Sequence, residues 1–185
     1  MPGPASAQTL PEVTATPEET TTLFLRSVRA IRWRAAAQFI HPATLTRFHD
    51  LVTMMSRVDT TGQVRRYLTD TDSAGYATLS ASQVFDRSIG TMIDDMPGLM
   101  HALFDRDDDV LGHVAEAGDT AHVVYRTTAR ISGAVSEVKV MQLAHTPDGW
   151  RVSWSDELEV LEAALRGVPR SRPDPPGTTP AGTTP

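Results

Sequence analysis

The sequence predicts an α+β domain: N-terminal helices packed on a curved four-stranded antiparallel meander, with a short C-terminal helix. Three observations predict it. Between Val110 and Trp154, runs with two-residue alternation are separated by short turns that carry Gly or Pro. Upstream of them, capping signatures open segments whose apolar residues recur at three-to-four spacing. After the last run, Ser155-Asp156-Glu157 places a capping hydroxyl and two carboxylates where a helix would start.

The elements follow in order. Thr16-Pro17-Glu18-Glu19 combines a capping hydroxyl, a Pro at the first helical position and a Glu three residues after the cap. From there Leu23, Phe24, Val28, Ile31, Ala35 and Phe39 form one stripe, so a single helix is expected to run to His41-Pro42, where the Pro ends it. A second helix starts at that Pro and carries Leu45, Phe48, Leu51, Val52 and Met55 to about Arg57. Asp59 to Leu79 is polar, with Val64, Tyr67, Leu68 and Tyr76 as its anchors, and reads as a loop with at most one helical turn. Ser80-Ala81-Ser82-Gln83 repeats the capping box and opens a third helix with Val84, Phe85, Ile89, Met92, Ile93 and Met96 on one side. Pro97-Gly98 interrupts it, and Leu99 to Phe104 resumes as a short helix.

The strands are expected over Val110–Glu116, Ala121–Ile131, Val135–His145 and Trp150–Trp154. Their turns are Ala117-Gly118-Asp119, Ser132-Gly133-Ala134 and Thr146-Pro147-Asp148-Gly149. Period-two counting puts Val123, Tyr125, Thr127, Ala129 and Ile131 on one face of the second strand. Continued to the later strands, the inward set is Val138, Val140, Gln142 and Ala144, then Trp150, Val152 and Trp154. The final helix closes at Arg166-Gly167.

At 185 residues with 40% hydrophobic content, the chain is long enough for one core of ordinary size. We expect one domain over residues 16–168, flanked by disordered segments over 1–15 and 169–185 that are rich in Pro, Gly and Thr. A net charge of −6 opposes nucleic-acid binding, which needs a basic surface. Arg26, Arg29, Arg32 and Arg34 make the first helix locally basic, and a solvated face is the ordinary reading of such a run. No apolar run is long enough to span a bilayer. Ala5-Ser6-Ala7 has the small-x-small form of a signal-peptidase site without the segments that precede one. It fits a periplasmic or secreted protein whose signal peptide is missing from this chain, the alternative being a cytoplasmic protein with an Ala-rich start. With no Cys, thiolate catalysis, disulfides and Cys-ligated zinc are excluded.

No catalytic motif, metal cluster or phosphate loop stands out. Asp105, Asp107 and Asp109, with Glu116, match four positions of a calcium loop, but Val110 stands where the sharp turn needs Gly. The Asp run reads instead as a polar turn entering the sheet. Neither a metal nor a cofactor is called for, and His113, His122 and His145 read as surface residues.

The order of helices and meander resembles the nuclear transport factor 2-like (SnoaL-like) cone-fold superfamily. The likeness lies in organisation and in local stretches such as Trp33-Arg34-Ala35-Ala36-Ala37-Gln38-Phe39-Ile40-His41-Pro42 and Asp148-Gly149-Trp150-Arg151-Val152. Asp59 to Leu79 departs from it where a short strand or hairpin is expected, and the terminal helix is an addition. The resemblance implies an apolar cone between sheet and helices, and homodimers through the outer sheet face. In its enzymes an Asp or His with a Tyr inside the cone transfers protons. Here Tyr125, Thr127, Gln142 and Trp154 are the expected ligand-lining residues, with no carboxylate or His among the inward set. We therefore expect a non-catalytic module that binds a small apolar ligand or dimerises. The alternative is a small-molecule isomerase, dehydratase or cyclase acting through Asp86, His49 or Tyr125, which requires at least two of these to converge in one pocket.

Overall fold

A computed structural model describes residues 15–59, 61–96, 98, 103–116, 118–130 and 135–167. Outside this range lie Ala5-Ser6-Ala7, Ala117, the Ser132-Gly133-Ala134 turn, Pro97, Leu99–Ala102 of the expected short helix, and the Pro-rich tail.

Helix α1 (Pro17–Arg29) begins on its capping box: Glu19 N–H donates to Thr16 Oγ1 at 3.2 Å, and Thr16 N–H donates to the Glu19 carboxylate at 2.9 Å. It does not run on to His41 as its apolar stripe suggests. Ile31 takes a left-handed φ of 57°, and Arg32 N–H closes back on Ser27 carbonyl at 2.9 Å, which ends the helix. A short α2 (Trp33–Ala37) follows the break, burying Trp33, Ala36 and Ala37. α3 (Pro42–Val58) starts at the expected Pro.

The segment read as loop holds two helices, α4 (Gln63–Thr69) and α5 (Ser73–Tyr76). Val64 and Leu68, four residues apart, are buried, and Asp59 accepts from Thr61 and Val64 N–H groups at 3.0 and 2.6 Å. Burial of one narrow face and the Asp59 carboxylate on the Val64 N–H stabilise a seven-residue helix that is too short to hold by propensity alone, although Gln63, Arg65, Arg66 and Leu68 favour it. α6 (Ala81–Asp95) opens on the second capping box and buries Val84, Phe85, Ser88, Ile89, Met92 and Ile93.

The strands β1 (Arg106–Glu116), β2 (Thr120–Ala129), β3 (Ser136–Thr146) and β4 (Gly149–Trp154) pair antiparallel in chain order, and α7 (Asp156–Gly167) follows. The turns before β2 and β4 use Gly118 and Gly149 at φ 93° and 100°.

The curved meander and the cone-fold resemblance are both overturned. The sheet is flat and open, with β1 and β4 as its two edges, and it does not curl into the cup of a cone. Curling needs bulges or glycine kinks across the middle of a sheet. Here the register shifts lie only in the β1–β2 pairing, between Val110 and Gly112, and the β3–β4 pairing, at Gln142/Leu143, while β2 and β3 pair without interruption. A cone-shaped pocket is likewise ruled out: Val123, Tyr125, Met141, Leu143 and Val152 are fully buried in one continuous core with the helices.

Two further corrections concern faces. Met141 and Leu143 point inward and Val138, Val140 and Gln142 outward, because the ladder sets Met141 against Val123 and Leu143 against Ala121. Strand β1 also starts four residues early, so Arg106 and Asp108 lie opposite Ala129 and Thr127 on the inner face. The sheet interior therefore does contain a carboxylate. Its inner face divides into an apolar half (Ala121, Val123, Met141, Leu143 and Val152) and a polar half (Arg106, Asp108, Tyr125, Thr127 and Lys139) on which α7 begins.

Candidate functional site

The polar half of the sheet carries an ionic network that runs from a buried end to the surface. Tyr125 and Glu157 are both 0% exposed, and the Tyr125 hydroxyl donates to the Glu157 carboxylate at 3.0 and 3.1 Å. Arg106 Nη2 donates to the same carboxylate at 2.5 Å, and Arg106 Nε lies 3.6 Å from Asp108 Oδ1. Asp108 Oδ2 accepts from Arg29 Nη2 at 2.7 Å, Arg29 Nη1 reaches Asp107 at 3.5 Å, and Asp107 meets Arg130 at 2.5 Å. Guanidinium and carboxylate groups alternate along this chain, so its charge is compensated without a ligand. Burial, and then the Glu157 charge, push the Tyr125 phenol far above its ordinary range. Tyr125 is thus a hydrogen-bond donor within a fully buried pair. Thr127 is buried opposite Asp108 in the ladder.

The three residues nominated for proton transfer lie apart. His49 stacks on Tyr76 with ring centroids 5.5 Å apart, and the Tyr76 hydroxyl bonds Thr53 at 2.8 Å. Asp86 lines a cleft between α2 and α6, and Tyr125 is sealed in the network. The expected ligand-lining set is also dispersed. Gln142 is exposed on the outer face opposite Trp154, whose ring is covered by the Arg47 guanidinium 4.7 Å from its centre.

That α2–α6 cleft is the concave feature with the most chemistry. It measures about 610 Å³ and gathers Arg34 from α2, Asp86 and Arg87 from α6, and Arg151 from β4 over a floor that includes Ile40 and Leu45. Its walls are fixed by the backbone. The segment after α2 lies along β4, with Val152 N–H donating to Phe39 carbonyl at 2.7 Å and His41 N–H to Val152 carbonyl at 2.9 Å. This clamp holds Arg151 beside α2 and covers the β4 edge. Arg87 Nη1 donates to Thr69 carbonyl at 3.0 Å, at the end of α4, and Arg151 Nη1 to Trp150 carbonyl at 2.8 Å. Among the described residues, none of the three arginines has a carboxylate within 4 Å.

Only Asp86 of this cleft is a residue nominated from sequence. Arg34, Arg87 and Arg151 come from three separated segments, and no spacing rule joins them. Arg34 stands in the basic run of the N-terminal helices, the only prior signal of the cleft's charge. Two other crevices flank α1 and β1: one of about 610 Å³ that includes Leu23, Val110 and Leu111, and one of about 380 Å³ beside Arg29 and Asp108. Among the described residues no group of three or more His, Asp or Glu side chains is placed to hold a metal ion, and no helix is long and apolar enough to cross a membrane. Compared with protein-family models, curated proteins and solved structures, the chain matches none.

Proposed function

We propose that the domain is a non-catalytic small-ligand-binding module whose ligand occupies the cleft between α2, α6 and β4. The observation that carries this reading is the convergence of Arg34, Arg87 and Arg151 on one cleft without a compensating ion pair. Polar groups converging in a concave site of a few hundred Å³ are what a small-molecule site requires. The enzyme alternative loses support because Asp86, His49 and Tyr125 do not share a cleft, whereas that reading requires at least two of them in one pocket. The α1–β1 crevice is more apolar, with Leu23 and Leu111 at its surface, and its Arg26 stands with Glu18 and Glu19 and not among other cations.

A thermal-shift screen of small polar molecules tests the reading, run on the wild type and on Ser82→Trp, which fills the cleft mouth from an exposed position. The reading expects stabilising compounds whose effect the Trp removes. A screen without any stabilising compound overturns it.

Self-association through the outer sheet face is a second reading, favoured by one observation. Val114, Val138 and Val140 are 63%, 63% and 51% exposed on a flat face that no described helix covers. Light scattering on the wild type and a Val138→Lys/Val140→Lys variant tests it: a dimer reduced to monomer by the lysines supports the reading, and a monomeric wild type rejects it.

A further inference from the structure

We infer that the α2–α6 cleft takes a small organic dianion, a molecule carrying a phosphate ester or two carboxylates; this rests on the binding reading above. The chain has 17 Lys and Arg against 23 Asp and Glu, so a gathering of uncompensated cations runs against its overall balance. Arg29, Arg47, Arg106, Arg130 and Arg166 each meet a carboxylate within 4 Å. Arg26, Arg32, Arg57, Arg65, Arg66 and Arg126 have no such partner among the described residues either, but of these only Arg26 lines any of the clefts described above, where Glu18, Glu19, Asp108 and Asp109 offset it. Of the three clefts described above, the α2–α6 cleft alone brings three guanidinium groups onto a concave surface with a single carboxylate, Asp86. The charge left over matches two negative charges on a ligand.

Two of the guanidinium groups are held in place without being neutralised. Arg87 and Arg151 each spend one N–H on a backbone carbonyl, at 3.0 and 2.8 Å, which fixes orientation and leaves the remaining donors for a ligand. Planar forks of this kind pair bidentately with phosphate and carboxylate oxygens. The start of α6 adds little to this. Its capping box already occupies the Ser80 and Gln83 N–H groups, so the cleft's positive potential comes from side chains. Asp86 adds an acceptor suited to a hydroxyl or ammonium group of the same ligand, and Ile40 and Leu45 provide an apolar floor for its carbon skeleton.

Calorimetric titration of the full chain with glycerol 3-phosphate and with malate, against glycerol as the uncharged control, tests the inference. At least one dianion is expected to bind, more weakly as salt is raised, and glycerol is not. Arg34→Gln/Arg87→Gln, at two exposed positions, should weaken that binding at least about tenfold. Arg34→Lys/Arg87→Lys should recover part of it, separating lost charge from lost fold. Equal binding by wild type and the Gln variant overturns the inference. Uncharged compounds that bind and are blocked by Ser82→Trp, with neither dianion binding, overturn the dianion inference while the ligand-binding reading stands. Failure of charged and uncharged compounds alike overturns both.

Discussion

At the scale of single residues, the group that the fold depends on most is Glu157. Its carboxylate is fully buried and is held by Arg106 at 2.5 Å and the Tyr125 hydroxyl at 3.0 Å. Removing one member of a buried pair leaves the other charge without compensation, so Glu157→Ala should lose about 3–5 kcal/mol in urea unfolding. Tyr125→Phe removes only a neutral donor and should lose less. Exposed groups set the pH limits. Tyr67 donates to Asp95 at 2.6 Å, a bond that pushes its phenol up to about 12. A raised folded pKa gives stability that is complete below the ordinary value of 10.0 and is lost as pH climbs toward 12. The Glu18 carboxyl, bonded to His113, and that of Asp107, bonded to Arg130, are held below their ordinary 4.5 and 3.8. Their contributions are present above those values and are lost as pH falls below them. Melting curves across pH should show both losses, and Tyr67→Phe should flatten only the alkaline one. In the sequence, Glu157 is legible as a first-turn carboxylate but not as a buried one. Its partner Arg106 stands beside an aspartate run that composition marks as a turn, and only the pairing with Arg29, Arg106 and Arg130 lets those aspartates enter a strand.

Among the elements, those with local instructions are legible and those with distant ones are not. The capping boxes at Thr16 and Ser80 are complete within four residues, and both form as the sequence predicts. Ser80→Ala should therefore lower stability by about 1 kcal/mol, measured by urea unfolding, without touching the arginines of the cleft. The strands and their antiparallel order also follow from turn chemistry. By contrast, the stripe from Leu23 to Phe39 continues through a break that Ile31 makes by adopting a left-handed conformation, a choice its side chain disfavours. Helix α4 exists because tertiary packing buries Val64 and Leu68, which its own composition does not announce. The inward face of β3 cannot be carried over from β2 by counting. It follows from the β2–β3 register, and a shift of one residue exchanges Val140 for Met141.

For the whole molecule, sheet shape decides where a ligand can go. A flat, open sheet packs its apolar half into one core with the helices and encloses no cone, and the arginine-lined cleft lies where α2, the start of α6 and the edge of β4 meet. Shape is the part least legible in the sequence, because it depends on where bulges fall across the strands and not on the alternation within them. The cleft is illegible for a related reason: its arginines are separated by most of the chain and meet only once Phe39–His41 has zipped onto β4. The ionic network and the cleft are then separate devices, the first compensated and buried at its Tyr125–Glu157 end, the second uncompensated and open. Amide shift mapping on the labelled protein, titrated with a compound that binds, tests this division most directly. The account predicts shifts confined to Arg34–Leu45, Ser80–Arg87 and Arg151, with Tyr125 and Glu157 unmoved. Shifts centred on Tyr125, Arg106 and Glu157, with the cleft residues unchanged, would contradict it.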